Sequence, residues 1–142
     1  MRVLALAAGT GCAVVGGVFF AFSTFVVPAL VRLPEAQAAP AMRSINVLAV
    51  RPPFMLALFG TTAACLVLAV LAVRDPDPRV VVACAVYLVG VVAVTVVGNV
   101  PLNDRLAQEQ ATFHAVAGAW SAWNHVRAVS AVLAAVLLLA RR

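Results

Sequence analysis

Lysine is absent from this 142-residue chain, and only five acidic residues stand against ten arginines. Charged residues make up 11% of the sequence, whereas a soluble domain carries roughly 25%. So few charges cannot cover a water-facing surface, which excludes a soluble globular enzyme. Disorder is excluded as well, because it requires low hydrophobicity; here 65% of residues are hydrophobic and the mean hydropathy is +1.08. Histidine occurs only at His114 and His125, and no H-x-x-H, E-x-x-H or C-x-x-C spacing exists. On one continuous helix the two imidazoles would lie ~16 Å apart. No metal or haem site is therefore expected.

Cysteine is scarce too. Cys12, Cys65 and Cys84 each lie inside an apolar run, their number is odd, and they read as small buried hydrophobes. The arginines are dispersed and flank apolar runs, as membrane-end anchors do. A nucleic-acid surface needs clustered basic residues, so no nucleic-acid partner is expected. The remaining class is an integral membrane protein, built as one domain over residues 1–142. The start of the chain, Met1-Arg2 and an apolar run with small residues before Cys12, imitates a signal peptide. The run continues to Val31, however, far beyond the ~7–15 residues of a signal core, and is read as an uncleaved span.

Four stretches reach the ~20 apolar residues that a membrane helix needs: about 3–31, 54–73, 80–98 and 120–140. The expected fold is all-α, an integral membrane four-helix bundle. Pro28 is expected to bend or stop the first span, and Pro101 to stop the third. Arg74-Asp75-Pro76-Asp77-Pro78 forms a tight turn between the second and third spans. The two long connections, 32–53 and 100–119, fall on the same side, and each is expected to hold a short interfacial helix, at 36–44 and 104–113. Arginines divide five against five between the sides. Arg127 lies inside a span; once it is discounted, the positive-inside rule favours a cell-membrane protein with both termini cytoplasmic.

Polar residues inside a membrane are costly and mark function. Here they gather at one end of the spans: Ser23, Thr24, Asn46, Arg51, Thr95, Asn99, Asn103, Asn124, His125 and Arg127. The picture is a dry lower plug beneath a polar upper chamber. Arg127 stands fourteen residues before Arg141, or ~21 Å of helix, so it falls short of the far side of a ~30 Å core. It must snorkel, touch a substrate, or pair with Asp104 or Glu109. Trp120, Asn124 and Arg127 share one helix face, and Trp123 stands four residues before Arg127. That stripe fits either an aromatic belt or a site. Asn99 and Asn103 flank Pro101, either capping freed carbonyls or donating into the chamber. Phe19, Phe20, Phe22, Phe25, Phe54 and Phe59 serve packing and lipid contact, or wall a flat ligand. Ala13, Gly16 and Gly17 permit close helix approach, within the chain or in a homo-oligomer.

Several of these segments form an ordered set: Gly16-Gly17-Val18-Phe19-Phe20-Ala21-Phe22-Ser23 with Pro28, Met42-x-x-Ile45-Asn46, Arg51-Pro52-Pro53-Phe54, Asn99-Val100-Pro101-Leu102-Asn103, and Trp120-x-x-Trp123-Asn124-x-Val126-Arg127. The set resembles the anthrone-oxygenase-like membrane proteins. That resemblance implies a four-span bundle that oxidises an anthrone to an anthraquinone with dioxygen and no added cofactor. It points to Asn99, Asn103, Trp120, Asn124 and Arg127 as motif residues. Such chemistry needs donors for an enolate oxygen and a base. The expected assignment gives Arg127 with Asn103 or Asn124 to the oxyanion and His125 or Asp104 to the proton. Phe22 and Trp120 would sandwich the rings, with Asn46, Asn99 and Trp123 completing the substrate site. The expected partners are the bilayer, a lipophilic small molecule and dioxygen. The alternative is a membrane scaffold, or a small-molecule- or quinone-binding protein without turnover. No acid lies mid-span, which argues against proton-coupled export.

Overall fold

The structure, a computed structural model, describes residues 1–140; the proposed anchors Arg141 and Arg142 lie outside the described residues. Five helices follow one another: α1 (Arg2–Val31), α2 (Glu35–Ala49), α3 (Phe54–Leu71), α4 (Pro78–Ala107) and α5 (Phe113–Leu139). Among the described residues there is no strand. Helices α1, α3, α4 and α5 are each long and apolar enough to cross a membrane, and the chain is a multi-pass membrane protein. They pack antiparallel in a ring, each of α1, α3, α4 and α5 against the next and α5 back against α1. Their outer faces expose large apolar side chains, among them Phe20, Phe25, Leu56, Phe59, Val89 and Val129. In water such a surface would be an aggregation site; in a bilayer it meets lipid.

Local chemistry sets the helix ends. The Asp77 carboxylate accepts from the N–H groups of Arg79 (3.1 Å) and Val80 (3.5 Å), and Pro78 occupies the first turn of α4, where its missing N–H costs nothing. Thr112 caps α5 by accepting from the Ala115 N–H at 3.2 Å. Inside the membrane, Thr10, Thr24, Thr62 and Thr95 each donate to the carbonyl four residues earlier, so these four hydroxyls are paired within their own helices.

The structure corrects the expected role of two prolines. Neither Pro28 nor Pro101 stops its helix. Before each, the helix widens into π-helical turns, at Phe22–Val26 in α1 and at Leu88–Ala93 and Thr95–Asn99 in α4. The residue immediately before each proline closes a wide turn: the Val27 N–H bonds the Phe22 carbonyl, and the Val100 N–H bonds the Thr95 carbonyl. Widening removes the clash that a tight turn forces between the ring and the carbonyl four residues earlier. As a result α4 runs on to Ala107, and only residues 108–112 connect it to α5. The separate helix expected at 104–113 does not form, because its first half is the last turn of α4. The helix expected at 36–44 is the longer α2, which lies over one end of the ring and packs against α1, α4 and α5.

Two apolar clusters fill the bundle. One gathers Cys12, Val15, Cys65, Leu68, Tyr87 and Ala131 within the four spans. The other gathers Val27, Leu30, Met42, Leu106, Phe113 and Trp120 at the end that α2 covers. The buried polar residues Asn99, Asn124 and Arg127 belong to neither cluster. The chamber is thus roofed by a second apolar layer, where the sequence suggested an open polar end.

Close approach of α1 and α5 depends on Gly16. A Cβ there would meet Ala131 Cβ and Val132 Cγ2 at 3.2 Å and the Val132 backbone nitrogen at 3.3 Å, whereas at Gly17 it would meet nothing within 4 Å. Gly16 therefore serves packing within the chain. Gly16→Leu is expected to cost about 1–3 kcal/mol by overpacking, and Gly17→Leu much less. Thermal unfolding of both variants in the same detergent checks this.

Candidate functional site

Arg127 lies near the middle of the 27-residue α5 and is only 6% exposed. Its guanidinium is held without a carboxylate. Nη2 donates to Asn124 Oδ1 at 2.8 Å and Nη1 donates to Thr95 Oγ1 at 3.3 Å. The guanidinium carbon stands 4.2 Å from the centre of the Phe19 ring and 5.3 Å from that of Trp120. Nε is buried and has no protein partner. Burying a cation costs several kcal/mol even after the protein relaxes. Hydrogen bonds to a charged group return about 1.5–3 kcal/mol each, and a desolvated cation–π contact about 2 kcal/mol. These offsets hold the side chain in place and leave its positive charge without a counter-charge.

The expectation that Asp104 or Glu109 pairs with Arg127 is corrected. The straight run of α4 carries both past the site towards the head of the bundle. Asp104 is exposed, and Glu109 pairs with Arg43 at 3.3 Å.

The support behind Arg127 is a web of amides. Asn124 is fully buried; its Nδ2 donates to the Phe19 carbonyl (2.8 Å) and to Ser23 Oγ (2.7 Å). Ser23 lies in the π-helical turn of α1. Asn99, in the second π-helical turn of α4, donates from Nδ2 to the Trp120 carbonyl at 3.1 Å, while its Oδ1 is buried without a protein partner. Asn103 Oδ1 accepts from Trp120 Nε1 at 2.8 Å and so fixes the indole. Asn99 and Asn103 therefore serve α5 across the interface and do not cap α4. The π-helical turns of α1 and α4 present Ser23, Thr95 and Asn99 to α5, and such turns recur at functional sites.

In front of Arg127 opens a cavity of about 350 Å³, within the ~300–1,000 Å³ range of small-molecule sites. Phe19, Phe22, Phe54 and Trp120 form its aromatic wall. Phe22 and Trp120 stand 5.8 Å apart between ring centres, inclined at 44°, and Phe54 meets Phe19 edge-on at 6.0 Å. Helix α2 closes one side with Ile45, Leu48 and Ala49. Asn46, Asn103 and Arg127 are the polar groups on the wall. Because the Asn103 oxygen is engaged by Trp120, its Nδ2 is the group that Asn103 has left to offer the cavity as a donor. The polar lining is donor-rich and carries one positive charge, which suits a flat ligand with acceptor oxygens and negative charge.

The structure brings together Phe22, Asn46, Asn103, Trp120 and Arg127 on the cavity wall. Asn99 and Asn124 lie behind it as supports. Three expected site residues stand apart. His125 is exposed, its Nδ1 2.7 Å from Ser23 Oγ. Asp104 is exposed on the last turns of α4. Trp123 packs over Gly98, where a Cβ would come within 2.5 Å of the indole, and is 39% exposed. Phe19 and Phe54, which the sequence offered among six phenylalanines for packing or for a ligand wall, line the cavity, as does the apolar face of α2, which it did not offer. Their role arises from contacts between helices, which no spacing within one helix announces.

A buried arginine without an acidic partner thus stands on the wall of an aromatic cavity, inside a bundle of four membrane-length helices, and this cavity is the candidate site. The anthrone oxygenase family model matches residues 53–137, and the chain belongs to that family. Comparison with curated proteins and with solved structures gives no match.

Asn124 carries the support web, so Asn124→Leu is expected to lower stability by about 1–3 kcal/mol, the cost of leaving buried donors and acceptors unpaired. Thr95→Val removes the longer 3.3 Å contact to Arg127 and the hydroxyl's own 2.7 Å bond to the Val91 carbonyl, whose backbone stays within the helix, and is expected to cost less. Denaturant unfolding of the two variants in one detergent compares them.

Proposed function

We propose that the chain is a membrane-embedded oxygenase that acts on a flat, lipophilic phenol or anthrone-like substrate with dioxygen and without an added cofactor. The observation that carries the reading is the Arg127 guanidinium, buried on the wall of an aromatic cavity with no acidic partner. A charge so placed favours a ligand that becomes an anion. An anthrone does so when it loses a proton from the carbon between its rings, which spreads negative charge onto the carbonyl oxygen. Arg127 and the Asn103 amide stabilise that oxygen, while Phe22 and Trp120 hold the rings.

No carboxylate or imidazole stands on the cavity wall, so His125 and Asp104 are not the base in this reading. Arg127 makes the bound substrate more acidic, and water or hydroxide at the cavity mouth takes the proton. The enolate passes one electron to dioxygen, giving a carbon radical and superoxide. These join through a new C–O bond, and the peroxide anion takes a proton. Loss of the remaining hydrogen on that carbon, with cleavage of the O–O bond and departure of water, leaves the second ketone. One dioxygen enters and one water leaves. In the same reading the protein lies in the cell membrane with both termini in the cytoplasm, as the arginine distribution favours.

The test is dioxygen uptake and anthraquinone absorbance with a simple anthrone, using purified protein in detergent with a metal chelator, against protein-free buffer to subtract autoxidation. Acceleration by the wild type is expected, with Arg127→Met lowering kcat about 10²–10³-fold, the usual cost of losing an oxyanion donor. Undiminished turnover by Arg127→Met would remove this arginine from the mechanism. Binding of the anthrone without turnover would instead make the protein a carrier of such ligands.

A further inference from the structure

One junction at the head of the bundle takes no part in the cavity chemistry. Glu35, in the first turn of α2, accepts from the backbone N–H groups of Phe113 (2.6 Å) and His114 (3.1 Å), donors that the start of α5 would otherwise leave unpaired. The same carboxylate meets His114 Nδ1, and His114 Nε2 lies 3.1 Å from the Val31 carbonyl at the end of α1. Three helix ends thus meet on one imidazole. Desolvation opposes ionisation of Glu35, but the two backbone N–H groups and the His114 ring outweigh it and hold its carboxyl below the usual carboxylate range. Both ring nitrogens of His114 therefore face oxygens that only accept. A neutral imidazole has a single N–H, so both bonds exist together only in the imidazolium.

Helix α2 is also a wall of the cavity, through Ile45, Asn46, Leu48 and Ala49. Apart from this junction it is held by the buried Ala38, Ala39 and Met42, by the partly buried Ala41 and Ile45, and by Arg43, which reaches Glu109 and the Leu106 carbonyl. Charged groups on the packed elements are Arg32 after α1, Glu35 and Arg43 on α2, Asp104 and Arg105 on α4, and Glu109 in the following turn. Of these, Glu35 is the one that acts on the His114 ring, and Arg43 is turned to Glu109. The His114 side chain is 39% exposed, so water reaches it.

We propose that Glu35, His114 and the Val31 carbonyl form a pH-sensitive latch that holds α2 against the bundle as the movable wall of the cavity. The latch is closed while His114 is an imidazolium and loosens when the ring loses a proton. As a control on access to substrate this rests on the proposed function; as a mechanical device it is tested without any substrate. The sign follows from linkage: the closed state keeps a proton that the open state gives up, so closure weakens as pH rises through the titration of His114. At the acid end the direction reverses. Closure fails there as Glu35 is protonated, and because its carboxyl is held low that happens only below the ordinary glutamate value of about 4.3.

Hydrogen–deuterium exchange of the full chain in detergent, from about pH 5.5 to about pH 9 and corrected for base catalysis of amide exchange, reads the latch directly. Protection of residues 38–49 is expected to fall about tenfold or more across that range while α3 and the centre of α5 hold theirs. His114→Gln, which cannot titrate, is expected to abolish the pH dependence, and Glu35→Gln to leave α2 weakly protected throughout. Flat protection of α2 in the wild type, or the same slope in His114→Gln, overturns the latch. Turnover does not enter this readout. A protein that loosens α2 but oxidises no anthrone overturns the oxygenase reading alone; an active protein with flat α2 protection overturns the latch alone.

Discussion

A guanidinium enclosed in a membrane protein with no carboxylate beside it constrains everything near it. Arg127 is buried in the middle of α5, and the structure solves its burial with neutral partners: an amide oxygen, a hydroxyl and two aromatic faces. An acid would have been a stronger partner, but it would have cancelled the charge. Neutral oxygens and ring faces stabilise the cation and leave its field outside the pair. The cavity inherits that field. This choice separates a site for anions from a structural ion pair, and the positions of Asn124, Thr95, Phe19 and Trp120 follow from it.

The neutral web in turn depends on backbone irregularity. Regular α-helices direct their carbonyls along the axis and leave little hydrogen-bonding capacity for a neighbouring helix. The π-helical turns of α1 and α4 loosen that regularity beside Arg127 and Asn124, and the Phe19 carbonyl just before one of them accepts from Asn124. Pro28 and Pro101 lie two residues after the Phe22–Val26 and Thr95–Asn99 turns and give those two a local cause; the Leu88–Ala93 turn has no proline beside it. The prolines are therefore better understood as shaping the site than as ending the spans. Gly98 adds the space for Trp123 beside the same stretch.

The architecture was legible because its signals are local. Apolar runs of membrane length, turn residues at Arg74–Pro78 and the clustering of asparagines need no knowledge of neighbours, and the four-helix membrane bundle follows from them. The stripe of Trp120, Asn124 and Arg127 was equally visible, since it depends on helical period alone. Other features were not visible. Reading Pro101 as a stop assumed a tight turn before it, and that one assumption shortened α4 and misplaced Asp104 and Glu109 as partners of Arg127. Phe19 and Phe54 looked like any phenylalanine in a span, because what distinguishes them is a guanidinium from another helix and the edge of another ring. His125, adjacent in sequence to Asn124, meets the same Ser23 hydroxyl from an exposed position and is not part of the cavity wall.

The distribution of titratable groups also divides the molecule. The cavity wall carries the Arg127 guanidinium and, among the described residues, no carboxylate or imidazole. The groups that do change charge, Glu35 and His114, stand at the head of the bundle, where water reaches His114 and where α2 meets α1 and α5. An imidazole on the cavity wall would respond to pH by altering the site itself and would repel or attract ligand as it titrated. Placed at the junction, it acts on α2 alone. Recognition of charge and control of access are thereby assigned to different residues, joined through the fifteen-residue α2 and through α5, which carries both His114 and Arg127.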